Sequence, residues 1–147
     1  AKALMKDVSV IPEALILAGH GASSMHDVTR GGLLETLMEI ALLSETGIKI
    51  NFDSIPVHEI VDRFAKAFGY DPLKMISSGT LAATISPENL KNAKKELTEK
   101  GVSFADIGVV TEGNGVQILR GEDVIHYEEI RPEEDELARM WNEYQLD

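Results

Sequence analysis

Polar residues and a glycine pair stand together at one point of the chain, directly before a strongly apolar helical pattern. They are Asp27, Thr29, Arg30, Gly31 and Gly32. Short side-chain oxygens such as those of Asp27 and Thr29 can cap a helix. Glycine carries no Cβ to keep a ligand from the backbone, and the free N–H groups of a first helical turn bind phosphate or carboxylate. Arg30 could add a charged fork, so the spacing predicts an anion-binding loop between a strand and a helix.

The same glycine pair also has a structural interpretation, which the residue types alone favour. Gly31 and Gly32 would then only permit a sharp turn and close helix packing. We expect Gly32 to have a helical backbone, so that Gly32→Ala in the full-length protein leaves the melting temperature near or above that of the wild type and weakens ligand binding by about an order of magnitude or more; with a positive φ at Gly32, stability would instead be lost. His26 beside Asp27 could form a general-base pair, but neighbouring strand residues point to opposite faces, and we interpret their adjacency as accidental.

Hydrophobic periodicity predicts the elements that position this loop. A largely buried helix is predicted over 33–44, with Glu35 and Glu39 opposite its apolar stripe. Strict alternation over 48–52 predicts a half-buried strand. The other predicted elements are the end of a helix at 1–6, helices at 12–18, 53–69, 86–100 and 132–144, and strands at 81–85, 102–110, 116–119 and 124–127.

The order of these elements predicts an α+β fold with helices packed on a mixed, largely antiparallel sheet. We expect the three late strands to form an antiparallel meander, because the turns between them are rich in Gly, Asn and Asp. Trp141 and Tyr144, at helical spacing, are expected to anchor the terminal helix in the core.

Composition indicates one domain, residues 1–147, with a 44% hydrophobic content that suits a sizeable core. The chain has 14 Lys plus Arg against 25 Asp plus Glu and a formal charge of -11, which disfavours nucleic acid as a partner. It has neither an apolar run of about 20 residues nor a signal-peptide pattern, so we expect a soluble cytoplasmic protein. The absence of Cys excludes disulfides and thiolate metal sites, and no metal site is predicted.

Three segments of the chain resemble a known superfamily. Residues 25–33, Met-His-Asp-Val-Thr-Arg-Gly-Gly-Leu, are similar to the signature D-x-[ST]-x-G-[GF] of the C-terminal domain of the aminoimidazole ribonucleotide (AIR) synthase superfamily. Residues 77–81, Ser-Ser-Gly-Thr-Leu, resemble its second glycine-bearing loop, and 107–112 resemble its I-G-x-V segment. The Asp-x-Thr-Arg-Gly-Gly form is most similar to the HypE family of hydrogenase maturation proteins. The resemblance covers nearly all of the chain and implies a layered, partly ferredoxin-like α/β unit.

The resemblance also implies a function for the parent protein. Members use ATP, which HypE proteins hold with Mg²⁺ mainly on an N-terminal domain that is absent from this chain, so the domain alone should be nearly inactive. Implied partners are that N-terminal domain, a second copy in a homodimer of the full-length protein, and other hydrogenase maturation proteins. The residues implied to contribute to the ligand cleft are Asp27, Thr29, Arg30, Gly31, Gly32, Ser77, Ser78 and Gly79.

One departure from the HypE family leaves the reaction open. HypE proteins end in a Pro-Arg-Ile-Cys tail whose thiol accepts a carbamoyl group, whereas this chain has no Cys. The parent is then either a HypE-like paralogue with another substrate or no maturation enzyme, and no catalytic residue is assigned. The alternative function is a non-catalytic module of the same fold that binds a small anion or a partner protein.

Overall fold

A computed structural model describes residues 8–129, 131 and 135–144 of the chain. The predicted helix end at 1–6 lies outside these residues. The described helices are α1 (Ile11–Gly19), α2 (Gly32–Leu43), α3 (Glu59–Phe68), α4 (Pro87–Glu99) and α5 (Glu136–Glu143). The described strands are β1 (Ser24–Asp27), β2 (Gly47–Asn51), β3 (Leu81–Thr84), β4 (Gly108–Thr111), β5 (Gly115–Arg120) and β6 (Asp123–Tyr127). Short 3-10 turns lie at Phe52–Ser54 and Pro72–Lys74.

The strands form two sheets. β1 and β3 make an antiparallel pair. The larger sheet has the order β4-β2-β5-β6, in which β2 runs antiparallel to β4 and parallel to β5, and β5 and β6 form an antiparallel hairpin. The predicted α+β class with mixed, largely antiparallel pairing is confirmed.

Helix α2 is packed against both sheets and forms the centre of the molecule. Met38 is 1% exposed and Ala41 is fully buried, as the apolar periodicity predicts. Burying a side chain the size of Met38 contributes about 1.5–3 kcal/mol, so this helix supplies much of the stability near the candidate site. The buried core cluster comprises Leu34, Leu37, Met38, Ile40, Ala41, Ile48, Ile50, Leu73, Ala82, Val116 and Ile118.

The predicted antiparallel meander is wrong. β4 pairs with β2, which lies between β4 and β5 in the sheet. The close approach of Gly108 to β2 suits this pairing, because a Cβ on Gly108 would lie 2.0 Å from the Lys49 carbonyl oxygen. Turn chemistry predicted the β5–β6 hairpin correctly, but it could not reveal a partner from the first half of the chain.

Two predicted boundaries also differ from the structure. Residues 102–107 form no strand, because the Val102 N–H donates to the Leu97 carbonyl at 2.9 Å and completes the C-terminal cap of α4. Helix α3 begins at Glu59, where the His58 Nδ1 accepts from the Ile60 N–H at 3.1 Å, and residues 52–54 are a separate turn.

The terminal helix is less buried than its spacing predicts. Trp141 is 75% exposed and Tyr144 is 50% exposed, so neither is a core anchor. Tyr144 contacts the edge of Phe68 on α3 at 6.0 Å between ring centroids. Helical spacing identified an apolar face of α5, but the contact with Phe68 covers this face only in part and leaves Trp141 exposed. The described helices include none that is long and apolar enough to cross a membrane.

Candidate functional site

Two glycine-bearing loops meet at one end of the β1–β3 pair. Asp27 is the register partner of Leu81, so the chain leaves β1 beside the point where it enters β3. Beyond this pair, the Val28 N–H donates to the Thr80 carbonyl at 2.9 Å, and the Ser77 N–H donates to the Val28 carbonyl at 3.3 Å. The structure therefore brings together the two loops that the sequence proposed as one site.

The predicted site residues divide into an exposed and a buried group. Gly31 and Gly32 are buried. The remaining predicted residues are exposed on the two joined loops, and they are Asp27, Thr29, Arg30, Ser77, Ser78 and Gly79. Groups that could reach a ligand are thus mostly the polar side chains.

Gly32 does not have the helical backbone that we expected. Its φ is +69°, in the left-handed region that side chains other than glycine rarely adopt. A Cβ would also lie 2.4 Å from the Leu73 carbonyl oxygen and 2.8 Å from the Met75 nitrogen. The expected stability gain in Gly32→Ala is therefore wrong in sign, because the missing side chain leaves room for the backbone of residues 73–75.

Gly31 is the N-cap residue of α2, and no side chain caps this helix. The expected capping by Asp27 or Thr29 is therefore wrong. The Gly31 φ is +74°, and the Glu35 side chain fills the space that a Cβ would occupy. The Gly32 N–H donates to the Thr29 carbonyl at 3.1 Å, so one first-turn donor is already used within the loop.

Arg30 lies beside a buried carboxylate that the sequence analysis did not include. Its Nε is 3.9 Å from the Asp135 Oδ2, and the Arg30 side chain is 66% exposed whereas that of Asp135 is 2% exposed. The other Asp135 oxygen accepts from the Leu137 N–H at 3.0 Å and caps α5. Asp before a helical pattern does signal a cap, but the position of that cap beside Arg30 requires the tertiary structure.

Glu35 and Glu39, predicted to lie opposite the apolar stripe of α2, are half-buried, and Glu39 contacts the His26 ring on β1. Burial raises the pKa of Glu35, the Glu39 and Asp135 carboxylates raise it further, and Arg30 opposes the shift. Glu35 and Asp135 border a cleft of mixed charge at the start of α2. Its lining residues are Gly31, Leu34, Glu35, Met38, Lys74, Tyr127, Glu129, Arg131 and Asp135.

Among the described residues, no three His, Asp or Glu side chains converge in a way that could hold a metal ion. The exposed site residues offer hydroxyls, the Arg30 guanidinium and the Asp27 carboxylate. The hydroxyls and the guanidinium are hydrogen-bond donors for an anion.

Comparison with known proteins adds relatives of the same architecture. Over 70 residues the chain is 41% identical to the carbamoyl dehydratase HypE of Bradyrhizobium diazoefficiens. This aligned segment covers 48% of this chain and 20% of that protein. Over 103 residues it is 40% identical to the thiamine-monophosphate kinase of Pyrococcus horikoshii, covering 67% of this chain and 29% of the kinase. The chain therefore spans only about a fifth to a third of these relatives.

Solved structures show the same fold. The crystal structure of Escherichia coli HypE, a hydrogenase maturation protein, matches 84% of this chain and 40% of that chain with a TM-score of 0.73 and 23% identity. The crystal structure of the HypE–HypF complex covers 81% of this chain and 41% of the matched chain, with a TM-score of 0.71 and 25% identity. The crystal structure of HypE in complex with ATP covers 75% of this chain and 36% of the matched chain, with a TM-score of 0.68 and 26% identity.

A family model supports the resemblance stated from the motifs. Residues 2–120 match the model described as AIR synthase related protein, C-terminal domain, and this span contains both joined loops. The chain therefore belongs to the family of AIR synthase related C-terminal domains.

Proposed function

We propose that this chain is the C-terminal cleft domain of a HypE-like, ATP-dependent enzyme that acts in hydrogenase maturation. The observation that carries the proposal is the joining of the two glycine-bearing loops through the Val28–Thr80 and Ser77–Val28 backbone hydrogen bonds. Arg30, Thr29 and the hydroxyls of 77–80 are exposed on these joined loops, which supports treating them as one ligand-binding surface. A HypE protein of the same fold has been solved with ATP.

The residues of this surface fit a part of a nucleotide's phosphate chain. Arg30 and the hydroxyls of Thr29, Ser77 and Ser78 can donate to phosphate oxygens, and Arg30 adds positive charge. When bound, ATP would supply a phosphoryl group, while this chain would bind and orient the phosphates and the substrate. The carboxylates that Mg²⁺ requires are proposed to lie mainly on an N-terminal domain, because the described residues hold no metal-binding cluster.

We also propose the partners of the parent protein. Asp27, Thr29, Arg30 and residues 77–80 are exposed on the joined loops, which suits a second domain that completes the cleft. The other proposed partners are a second copy of the longer protein, in a homodimer, and another maturation protein, as in the HypE–HypF complex. The formal charge of -11 disfavours tight self-association of the 147-residue chain on its own.

Calorimetric titration tests whether ATP-Mg is bound mainly by a second domain of the longer protein rather than by this chain alone. ATP-Mg is titrated into the 147-residue chain and into the longer protein that we propose carries it. We expect binding by the longer protein and, for this chain alone, an affinity at least about 100-fold weaker, which corresponds to about 2.7 kcal/mol. Equal affinities would contradict the proposal.

A second candidate function has its own supporting observation. Protein atoms fill the space beside both glycines, from Glu35 at Gly31 and from residues 73–75 at Gly32, which favours a structural role for the pair. The domain could then be a non-catalytic module that binds a small anion or a partner protein. If the longer protein neither binds nor hydrolyses ATP, while the fold is intact by circular dichroism, this second function replaces the first.

A further inference from the structure

His26 and Glu39 join the two elements on either side of the Asp27–Gly32 loop. His26 belongs to β1, directly before the loop, and Glu39 lies on α2, two turns after it. The His26 Nε2 is 3.0 Å from a Glu39 carboxylate oxygen, and the two side chains are 35% and 36% exposed. An ion pair in this position ties the entry of the loop to the helix that follows it.

Both ring nitrogens of His26 face oxygen atoms. The Nδ1–H donates to the Asp27 carbonyl oxygen at 2.6 Å, while the Nε2 faces Glu39. A neutral imidazole has only one N–H and would turn a lone pair toward the other oxygen, whereas an imidazolium has an N–H on each nitrogen. The geometry therefore suits a cationic ring that contacts the loop backbone on one side and α2 on the other.

The charged surroundings of this ring are acidic. The Asp27 carboxylate lies 3.8 Å from the Nδ1, and Glu39 faces the Nε2. Glu35 lies near enough on α2 for the Glu39 carboxylate to raise the pKa of Glu35. On β3, the register partner of His26 is Ala82, which has no titratable group. A cation at His26 is thus attracted by carboxylates on its own strand and on α2.

We infer that His26 and Glu39 are a positioning pair that holds the Asp27–Gly32 loop in its observed conformation. The pair contacts the loop through the Asp27 carbonyl, so its loss would free the backbone just before Val28. Its consequence for nucleotide binding rests on the proposed function, but its effect on the loop does not require any ligand.

Hydrogen exchange of the 147-residue chain tests this inference without nucleotide. The variants are His26→Gln and Glu39→Gln, and the matched control is His20→Gln. The control breaks the other close His–Glu pair, in which the His20 Nε2 is 2.7 Å from Glu96 and links the end of α1 to α4. We expect either site variant to increase exchange of the amides of 28–32 about fivefold, which corresponds to about 1 kcal/mol, while the control leaves these amides within about twofold.

Two further measurements separate positioning from general stability. The double variant His26→Gln/Glu39→Gln should exceed neither single variant by more than about twofold, because both remove one interaction. Arginine is a cation with several N–H donors. Compared with His26→Gln, the variant His26→Arg should therefore restore the protection of amides 28–32 when Glu39 is present, but not when it is combined with Glu39→Gln.

Equal changes in all amides for the site and control variants would overturn the inference, and so would unchanged exchange at 28–32. Neither result depends on whether the longer protein binds ATP. If the exchange results are as expected and ATP-Mg does not bind, the proposed function fails and the positioning pair stands.

Discussion

The two loops of the candidate site differ in how the fold holds them. The loop before α2 contains two buried glycines with positive φ, whose missing side chains leave space that Glu35 and residues 73–75 occupy. The loop before β3 is exposed from Ser77 to Thr80, and its Gly79 also has a positive φ, of +92°. Within this second loop, the Ser77 and Thr80 hydroxyls hydrogen-bond to each other at 2.8 Å.

This difference shows that glycine serves two purposes in one site. In the first loop it permits close packing, so the backbone has little freedom to move toward a ligand. In the second loop the chain runs over the surface, where polar side chains remain accessible. A rigid loop joined to an accessible one suits a surface that must keep its shape while it binds.

The largest difference between the loops should appear in Gly32→Ala. The added Cβ meets fixed backbone atoms and the residue must keep a positive φ, so we expect a loss of about 3 kcal/mol or more in the free energy of unfolding. The control is Gly101→Ala, where φ is +71° but nothing lies within 4 Å of the added Cβ, and about 1 kcal/mol is expected. Urea unfolding measures both, and equal losses would show that packing at residues 73–75 is unimportant.

Asp135→Ala should have the next largest effect, because it removes a buried carboxylate that caps α5 and lies beside Arg30. We expect a loss of about 1–2 kcal/mol in the free energy of unfolding. Arg30→Ala is the matched change on the exposed partner and should cost about 0.5 kcal/mol or less. If the two variants lose equal stability, the ion pair rather than the cap is the important interaction.

Ser77→Ala should separate stability from binding in the exposed loop. Its hydroxyl interacts at the surface, so we expect thermal unfolding to report a loss of only about 0.5 kcal/mol. In the longer protein the same change should weaken ATP-Mg binding about fivefold or more, because a donor to phosphate is lost. Unchanged affinity would remove Ser77 from the proposed surface.

The smallest effect is expected for Glu35→Gln and should depend on pH. Because the pKa of Glu35 is raised above its ordinary value of 4.5, the folded chain holds this proton more tightly than the unfolded chain does. The stability that the protonated side chain contributes is therefore lost as the pH rises from 4.5 through the raised pKa. Glu35→Gln should be more stable than the wild type at pH 7, by about 0.5 kcal/mol or less, and the difference should disappear below pH 4.5. A difference independent of pH would contradict the burial argument.

Local patterns predicted the elements around the site well. The apolar spacing of α2 and the alternation of β2 depend on which face is buried, and a single segment of sequence records that face. The resemblance to the superfamily identified both loops, because residues 25–33 and 77–81 are similar to its two glycine-bearing segments in the same chain order. The conformation of Gly32 could not be predicted in this way, since it depends on contact with the distant residues 73–75.

The errors have a common physical origin in long-range contacts. The partner of β4 was wrong because β2 and β4 are far apart in sequence. The prediction that Trp141 and Tyr144 anchor the terminal helix in the core was wrong, because helical spacing shows an apolar face but not how much of that face another element covers. His26 and Glu39 were assigned separately, as a member of an accidental pair and as a solvent-facing residue, although the turn at Gly31 brings them together.

The parallel pairing of β2 with β5 has a consequence for how the polypeptide folds as it is made. Both sheet neighbours of β2 follow it in sequence, after α3, β3 and α4. During synthesis, both edges of β2 therefore remain without their partner strands until β4 and β5, in the last third of the chain, have been made. Pairing of such distant segments is intrinsically slow. We expect α2 to cover the apolar face of β2 during this interval, which makes the helix next to the candidate site an early requirement for folding and not only a support for the finished loop.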